Sequence, residues 1–107
     1  MAATAVTAVT ADAVTGSSLR LALVRLQQVT VIRLQMAPHQ KTAMHEVTPR
    51  VVVWLTDAHL RLTFPDGSTR DLRQRAGDTG WLSRQRHAGE NLGDAPIEFV
   101  AVVPKTR

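Results

Sequence analysis

The feature that most constrains this chain is a series of short apolar runs that alternate with polar residues and end at turns. The segment HLRLTF places Leu60, Leu62 and Phe64 on one face and polar residues on the other. Turn sequences follow closely, with PDGS at 65–68 and AGDTG at 76–80. Because successive side chains of a strand point to opposite faces, this pattern predicts strands that each cover one side of a core.

Four further runs are rich in Val, Leu and Ile and predict strands: 19–26, 29–36, 51–55 and 97–103. The run at 51–55 is apolar throughout, as expected for a strand that is buried on both faces or steeply twisted. The polar segment 37–50 contains two prolines and predicts a loop. Since no stretch has the apolar stripe of a helix, the chain is predicted to be all-β, a barrel or a sandwich.

Composition excludes several classes of site and partner. The 107 residues fit one domain, and the absence of cysteine rules out disulfides and thiolate metal ligands. The net charge of +4 comes from basic residues that are interleaved with acids, as in the segment RDLRQRAGD. Neither a long basic run nor an aromatic platform is present, so we expect a solvated surface and no nucleic-acid partner.

The first 18 residues, MAATAVTAVTADAVTGSS, have a composition of their own. They contain neither a basic segment nor an unbroken apolar block, so we expect no signal peptide, no membrane partner and a cytoplasmic protein. Two interpretations remain open for 1–18: a flexible tail, or an arm that docks on a partner subunit. Because an arm of Ala, Val and Thr cannot fold alone, we predict a homodimer, with residues 19–107 as the single domain.

The order of these features over about 29–103 resembles the cupin superfamily, in particular the small single-domain bacterial cupins. The first cupin motif corresponds to PHQKTAMHEVTPRVVVWL at 38–55. The second corresponds to AGDTGWLSRQRHAGENLGD at 76–94, which starts with a Gly-Asp turn and ends in His-x-x-x-Asn at His87 and Asn91. The resemblance implies a cupin-type β-barrel, that is, a jelly roll or double-stranded β-helix.

The resemblance also implies where metal ligands would lie. Metal-binding cupins supply two histidines and a Glu or Gln from the first motif and one histidine from the second. Here His45 and His87 match two of these positions, but the second histidine falls on Val47 and the acid near Val51 or Val52. We expect His45 and His87 to face each other across the barrel mouth. Two imidazoles bind Fe, Mn, Ni, Cu or Zn weakly, so the resemblance implies a degenerate or weak metal centre.

A third ligand and the walls of a pocket are also proposed from the sequence. His39 lies on the same loop as His45 and is a candidate third ligand. The apolar residues at ligand positions favour a dry pocket for a small-molecule ligand. The candidate pocket residues are Val47, Val51, Trp54, Trp81, Arg50 and Asn91.

Three functions remain open at this point. The first is a small-molecule-binding cupin whose metal centre has degenerated. The second is a metal-dependent cupin enzyme, such as a dioxygenase or isomerase, that uses His45 and His87. The third is a metal-free enzyme in which His45 or His87 is a general base, as in sugar epimerases of this superfamily. Neither a nucleophile elbow nor a phosphate-binding glycine loop is present.

Overall fold

The computed structural model describes residues 7–11, 20–25 and 28–105, the first two segments through their backbone pairing alone. Within these residues there is no helix, and hence no helix long and apolar enough to cross a membrane. The prediction of an all-β fold is therefore confirmed. The strands are β1 Thr7–Ala11, β2 Arg20–Arg25, β3 Val29–Met36, β4 His45–Val47, β5 Arg50–Trp54, β6 Ala58–Thr63, β7 Thr69–Gln74, β8 Thr79–Leu82, β9 Gln85–Asn91 and β10 Ile97–Pro104.

The ten strands form two antiparallel sheets. The larger sheet has the order β1-β2-β3-β10-β5-β8, and the smaller has the order β4-β9-β6-β7. Strand β10 pairs with β3 on one side and with β5 on the other, so distant parts of the chain meet in the middle of the larger sheet. The jelly-roll architecture buries the facing sides of both sheets.

Two of the predicted turns are fixed by glycines and by backbone hydrogen bonds. Gly67 has φ 86°, and the amide of Phe64 donates to the carbonyl of Ser68 at 2.9 Å, which closes the β6–β7 hairpin. Gly77 has φ 92°, and its amide donates to the carbonyl of Trp54 at 2.7 Å. Both glycines occupy the left-handed region that other residues rarely adopt. The turn predictions for 65–68 and 76–80 are confirmed.

The core lies between the two sheets and follows the alternation of the strands. In β5, Val52 and Trp54 are buried at 7% and 6% exposure, whereas Val51, directly before Val52, is 36% exposed. Strand β5 therefore buries one face, and Val51 lies on the outer face of the larger sheet. The indole of Trp54 packs against the ring of Phe99 at a centroid distance of 4.9 Å. The central cluster comprises Met36, Val52, Trp54, Ala58, Leu60 and Ile97.

An apolar row crosses the outer face of the larger sheet. Val31, Val102, Val51 and Trp81 are paired in register across β3, β10, β5 and β8, and we call them the outer row. Trp81 is 61% exposed, which is unusual for a tryptophan on a sheet face. Such a row marks a surface suited to covering by another protein surface.

Two segments depart from a simple interpretation of the sequence. Within the predicted N-terminal arm, Thr7–Ala11 forms β1 and pairs with β2 in the same chain. The rest of the arm lies outside the described residues, so its docking on a partner stays a prediction. The predicted loop 37–50 contains the short strand β4, which pairs with β9. Three residues are too few for alternation to reveal a strand.

Candidate functional site

His45 and His87 are direct neighbours at one end of the smaller sheet. They are register partners on β4 and β9, and their rings meet edge to face with centroids 5.2 Å apart. They lie on adjacent strands of one sheet rather than across the barrel mouth. His87 is 7% exposed, whereas His45 is exposed, so the pair runs from solvent into the interior. Val47, two residues along β4 on the same side as His45, is buried.

Both imidazoles are oriented by hydrogen bonds from their Nδ1 atoms. His87 Nδ1 lies 2.7 Å from Gln85 Oε1, and the Nε2 amide of Gln85 donates to the carbonyl of Ser83 at 3.1 Å. This second bond fixes the amide of Gln85 so that its oxygen, Oε1, faces the imidazole. The hydrogen of this contact must therefore lie on His87 Nδ1, which donates it. His45 Nδ1 donates to the carbonyl of Ala43 at 2.8 Å. When such a ring is neutral, Nε2 is consequently the atom with a free lone pair.

The environment of His87 favours its neutral form. The pKa of His87 is lowered from its ordinary value of 6.5 to about 4, mainly by burial of the ring and additionally by the nearby charges of His45 and Arg50. At neutral pH the ring is therefore an uncharged hydrogen-bond acceptor through Nε2. As a general base it would be weak, because a pKa of about 4 lies far below the working pH.

Arg50 lies on β5, in the sheet opposite the histidine pair, and its charge reaches His87. The alternation of β5 places its side chain on the inner face with Val52 and Trp54. The guanidinium donates through Nε to the carbonyl of Thr48 at 2.9 Å and through Nη2 to Thr48 Oγ1 at 3.1 Å. Burial lowers the pKa of Arg50. Within residues 28–105 it forms no ion pair with a carboxylate.

Three predicted pocket residues lie elsewhere in the fold. Trp81 and Val51 belong to the outer row and face away from the core, so neither forms a wall of a pocket between the sheets. Trp54 is inside but belongs to the central cluster, packed against Phe99. The sequence could not separate these positions, because the inner face of a strand follows from its register with its neighbours.

His39, the candidate third ligand, is remote from the histidine pair along β9. It adopts a left-handed conformation with φ 61°, and its Nε2 lies 2.7 Å from Oδ1 of Asp94. Asp94 follows the end of β9, whereas His87 lies in its first half. In the part of the chain that the structure describes, no three His, Asp or Glu side chains are arranged to hold a metal ion.

Asn91 has a structural role. Its side chain is fully buried, and Nδ2 donates to the carbonyls of Ala37 and Ala95 at 3.1 and 2.9 Å. Its Oδ1 accepts a hydrogen bond from the amide of Gly93 at 2.9 Å. One amide thus ties the loop after β3 to the turn before β10. The buried amide has all its hydrogen-bonding groups satisfied by the backbone of these two segments.

A cleft of about 640 Å³ opens beside Asn91 and the turn before β10, away from the histidine pair. Two of its acids hold backbone: Asp57 accepts from the amide of Ala76, and Asp78 accepts from the amide of Arg75. The cleft is lined by both acidic and basic groups, so its charge favours neither an anionic nor a cationic ligand. Its charged and titratable lining residues are Asp57, His59, Arg73, Arg75, Asp78 and Asp94.

Two residues of the site were missed by sequence reasoning. Gln85 orients His87, and its position two residues earlier on the same strand could have indicated this role, since such residues share a face. The ring of Phe64 lies 6.3 Å from that of His87. Alternation placed Phe64 on the inner face, but no local signal linked it to β9.

The structure is similar to many solved cupin structures. A cupin domain from Bordetella pertussis matches with a TM-score of 0.69 and 21% identity, covering 92% of this chain and 94% of that one. The cupin domain of CENP-C from Drosophila melanogaster matches with a TM-score of 0.62 and 15% identity, covering 92% and 75%. Oxalate decarboxylase from Bacillus subtilis, with Mn(II) centres, matches with a TM-score of 0.66 and 17% identity, covering 91% and 28%.

Sequence comparisons add nothing to this assignment, because no protein-family model and no curated protein matches the chain. The structural similarities establish that the chain has the cupin fold, as the resemblance of its motifs implied. The fold is shared by proteins of different activities, so function must be argued from the residues of the site.

Proposed function

We propose that this chain uses its cupin fold to bind a small molecule beside the pair His45 and His87, without a tightly held transition metal. The observation that carries the proposal is the set of side chains around the pair. Two imidazole Nε2 atoms are available, a buried Val47 takes the place of a further ligand, and the cation of Arg50 lies close by. A tightly bound metal ion needs more than two donor atoms, and a neighbouring cation such as Arg50 repels it.

The donor set does not fit a stable metal centre, although it retains one feature of such a centre. The Nδ1 hydrogen bonds to Gln85 and Ala43 orient both rings in the way that metal-binding histidines are usually oriented. Weak binding of Zn, Fe, Mn, Ni or Cu is therefore expected rather than none. The missing third and fourth donors distinguish this site from one that keeps its metal through purification.

The same residues suit an organic ligand. His87 is held neutral in a partly apolar environment formed with Val47 and Phe64. Ligand sites commonly combine such apolar walls with a few oriented polar groups. The alternative of a metal-dependent enzyme is disfavoured because the site has too few metal-donor atoms. The alternative of a metal-free enzyme with His87 as general base is disfavoured by the low pKa of His87. Binding without metal is the function that these observations favour.

Metal content tests the proposal directly. Protein purified without added metal should contain well under one transition-metal ion per subunit by mass spectrometry, and zinc should bind weakly by calorimetry. Val47→His should tighten zinc binding by at least about tenfold, because a third imidazole joins the pair. Val51→His is the matched control: it adds the same side chain on the outer face of the larger sheet and should leave zinc affinity unchanged.

The contrary result is equally clear. One tightly bound metal ion per subunit, lost in both His45→Ala and His87→Ala, would refute the proposal and favour the metal-dependent enzyme. If Val51→His tightened zinc binding as much as Val47→His, the assignment of the inner face would be wrong.

We also propose that two copies of this chain pair through the outer row. An isologous contact brings the same patch of both copies together, so the patch must complement itself. The outer row is uncharged, and the ion pair beside it, Arg33–Glu98, has no net charge. The six-stranded face measures roughly 29 Å across its strands and about 20 Å along them, or roughly three quarters of one side of a standard interface.

Light scattering tests this pairing. The wild-type protein should show twice the 11.7 kDa mass at micromolar concentration, and Trp81→Glu should show the monomer mass, because a carboxylate in the row would be buried without a partner. Thr69→Glu, which adds the same charge to an exposed position of the smaller sheet, should remain dimeric. A wild-type monomer, or a dimer unaffected by Trp81→Glu, would contradict the proposal.

A further inference from the structure

Arg50 carries a partly buried positive charge that the described chain does not compensate. Its two hydrogen bonds go to neutral oxygens of Thr48, which leaves three of its five N–H groups without a partner within residues 28–105. Alternation along β5 places the side chain on the inner face, where it is half-buried and its remaining N–H groups stay open to solvent. A bound anion can therefore reach these N–H groups and pair with the charge.

We propose that Arg50, His45 and His87 together bind a small hydroxycarboxylic acid, with the carboxylate on Arg50 and the hydroxyl group on an imidazole. This inference rests on the proposed function, since it names the ligand class of the same site. The remaining N–H groups of Arg50 form the planar fork that matches a carboxylate.

A carboxylate fits this site better than a phosphate does. The charges that reach His87 are those of His45 and Arg50, so one permanent cation is available for one negative charge. Phosphate sites normally add backbone amides from a glycine-rich loop or from the start of a helix. The described residues contain no helix, and the segment between β4 and β5 is the short Thr48–Pro49 connection.

The histidines require the ligand to donate a hydrogen bond. In both rings the Nδ1 hydrogen is already given to Ala43 or Gln85, so Nε2 presents a lone pair. A carboxylate placed against these lone pairs would be repelled, whereas a hydroxyl group would be bound. The carboxylate is thus directed to Arg50 and the hydroxyl to the histidine pair.

The apolar neighbours limit the rest of the ligand. Val47 is 3% exposed beside His45, and the ring of Phe64 faces His87 edge to face. These groups offer no hydrogen bonds, so the remainder of the molecule must be a short hydrocarbon chain or ring.

Calorimetric titration with three matched probes tests the inference on the full chain. The probes are 2-hydroxyhexanoate, hexanoate, which lacks the hydroxyl group, and 2-hydroxyhexanamide, which lacks the charge. We expect 2-hydroxyhexanoate to bind at least about tenfold more tightly than either of the others, because each loses one polar contact. Titration of the imidazole signals of His45 and His87 by NMR locates the binding. Inorganic phosphate serves as a fourth probe and should bind more weakly than 2-hydroxyhexanoate.

Variants assign the two contacts separately. Arg50→Gln should abolish the preference for the acid over the amide, whereas Arg86→Gln, an exposed arginine on β9, should preserve it. His45→Ala should reduce the preference for 2-hydroxyhexanoate over hexanoate. If Arg50→Gln does not fold, the wild-type comparison of acid with amide still decides the question.

Each contrary outcome is distinguishable. Equal binding of the acid and the amide at the histidines would overturn the anion assignment and leave small-molecule binding intact. Tighter binding of phosphate than of 2-hydroxyhexanoate would overturn the choice of carboxylate. No binding of any probe would overturn this inference, and only a tight stoichiometric metal would overturn the proposed function as well.

Discussion

Asn91→Ala is expected to lower the free energy of unfolding by about 3 kcal/mol, since a fully buried side chain loses three hydrogen bonds to the backbone. The carbonyls of Ala37 and Ala95 and the amide of Gly93 all bond to this one side chain, which is fully buried. Urea titration followed by circular dichroism measures the change. For a domain of this size the midpoint of thermal unfolding should fall by roughly 12 °C or more.

Asp94→Ala is the matched control for this measurement. Asp94 lies in the same turn and bonds to His39, but its side chain is almost fully exposed. Its loss should change the stability by less than about 0.5 kcal/mol. An Asn91→Ala protein as stable as Asp94→Ala would show that solvent replaces the amide, and that the turn does not depend on it.

Acidification from pH 6.5 to pH 4 is expected to destabilise the wild-type protein through His87, by up to about 3 kcal/mol. The unfolded chain takes up a proton near the ordinary pKa of 6.5, whereas the folded pKa is about 4, so the unfolded state binds more protons in this interval. The contribution is complete above pH 6.5 and is lost as the pH falls to about 4. The cause is first the burial of the ring, then the charges of His45 and Arg50.

His87→Gln isolates this contribution. The variant lacks the titrating ring, so the difference between its stability and that of the wild type should change with pH only in this interval. The carboxyl groups of Asp66, Asp71 and Glu98, whose pKa values are lowered by their hydrogen bonds, are present in both proteins and cancel. Parallel stability curves for the two proteins between pH 6.5 and 4 would contradict the burial of His87.

Strands and turns could be predicted because their signals are local. The alternation of Leu60 and Leu62 and the glycines at 67 and 77 each report the conformation of a few neighbouring residues. Strand β4 escaped prediction because its formation depends on pairing with β9, which lies far along the chain. Local patterns cannot indicate a pairing of this kind.

The candidate site was predictable only in part, for a related reason. The expectation that His45 and His87 lie near each other came from the resemblance of the motifs to those of cupins. In the structure the centroids of the two rings are 5.2 Å apart. The positions of Trp81, Val51 and His39 required the register of β5 with β8 and the path of the loop after β3. Arg50 was among the predicted pocket residues, and the alternation of β5 places its side chain on the inner face.

The central position of β10 has a consequence for how the protein is made. Ile97–Pro104 leaves the ribosome after every other described strand, yet it lies between β3 and β5 and supplies the buried residues Ile97 and Ala101. Until it emerges, the nascent chain exposes two apolar strand edges that have no partner, the condition in which chains associate wrongly. The protein should therefore depend on chaperones during translation more than its small size suggests.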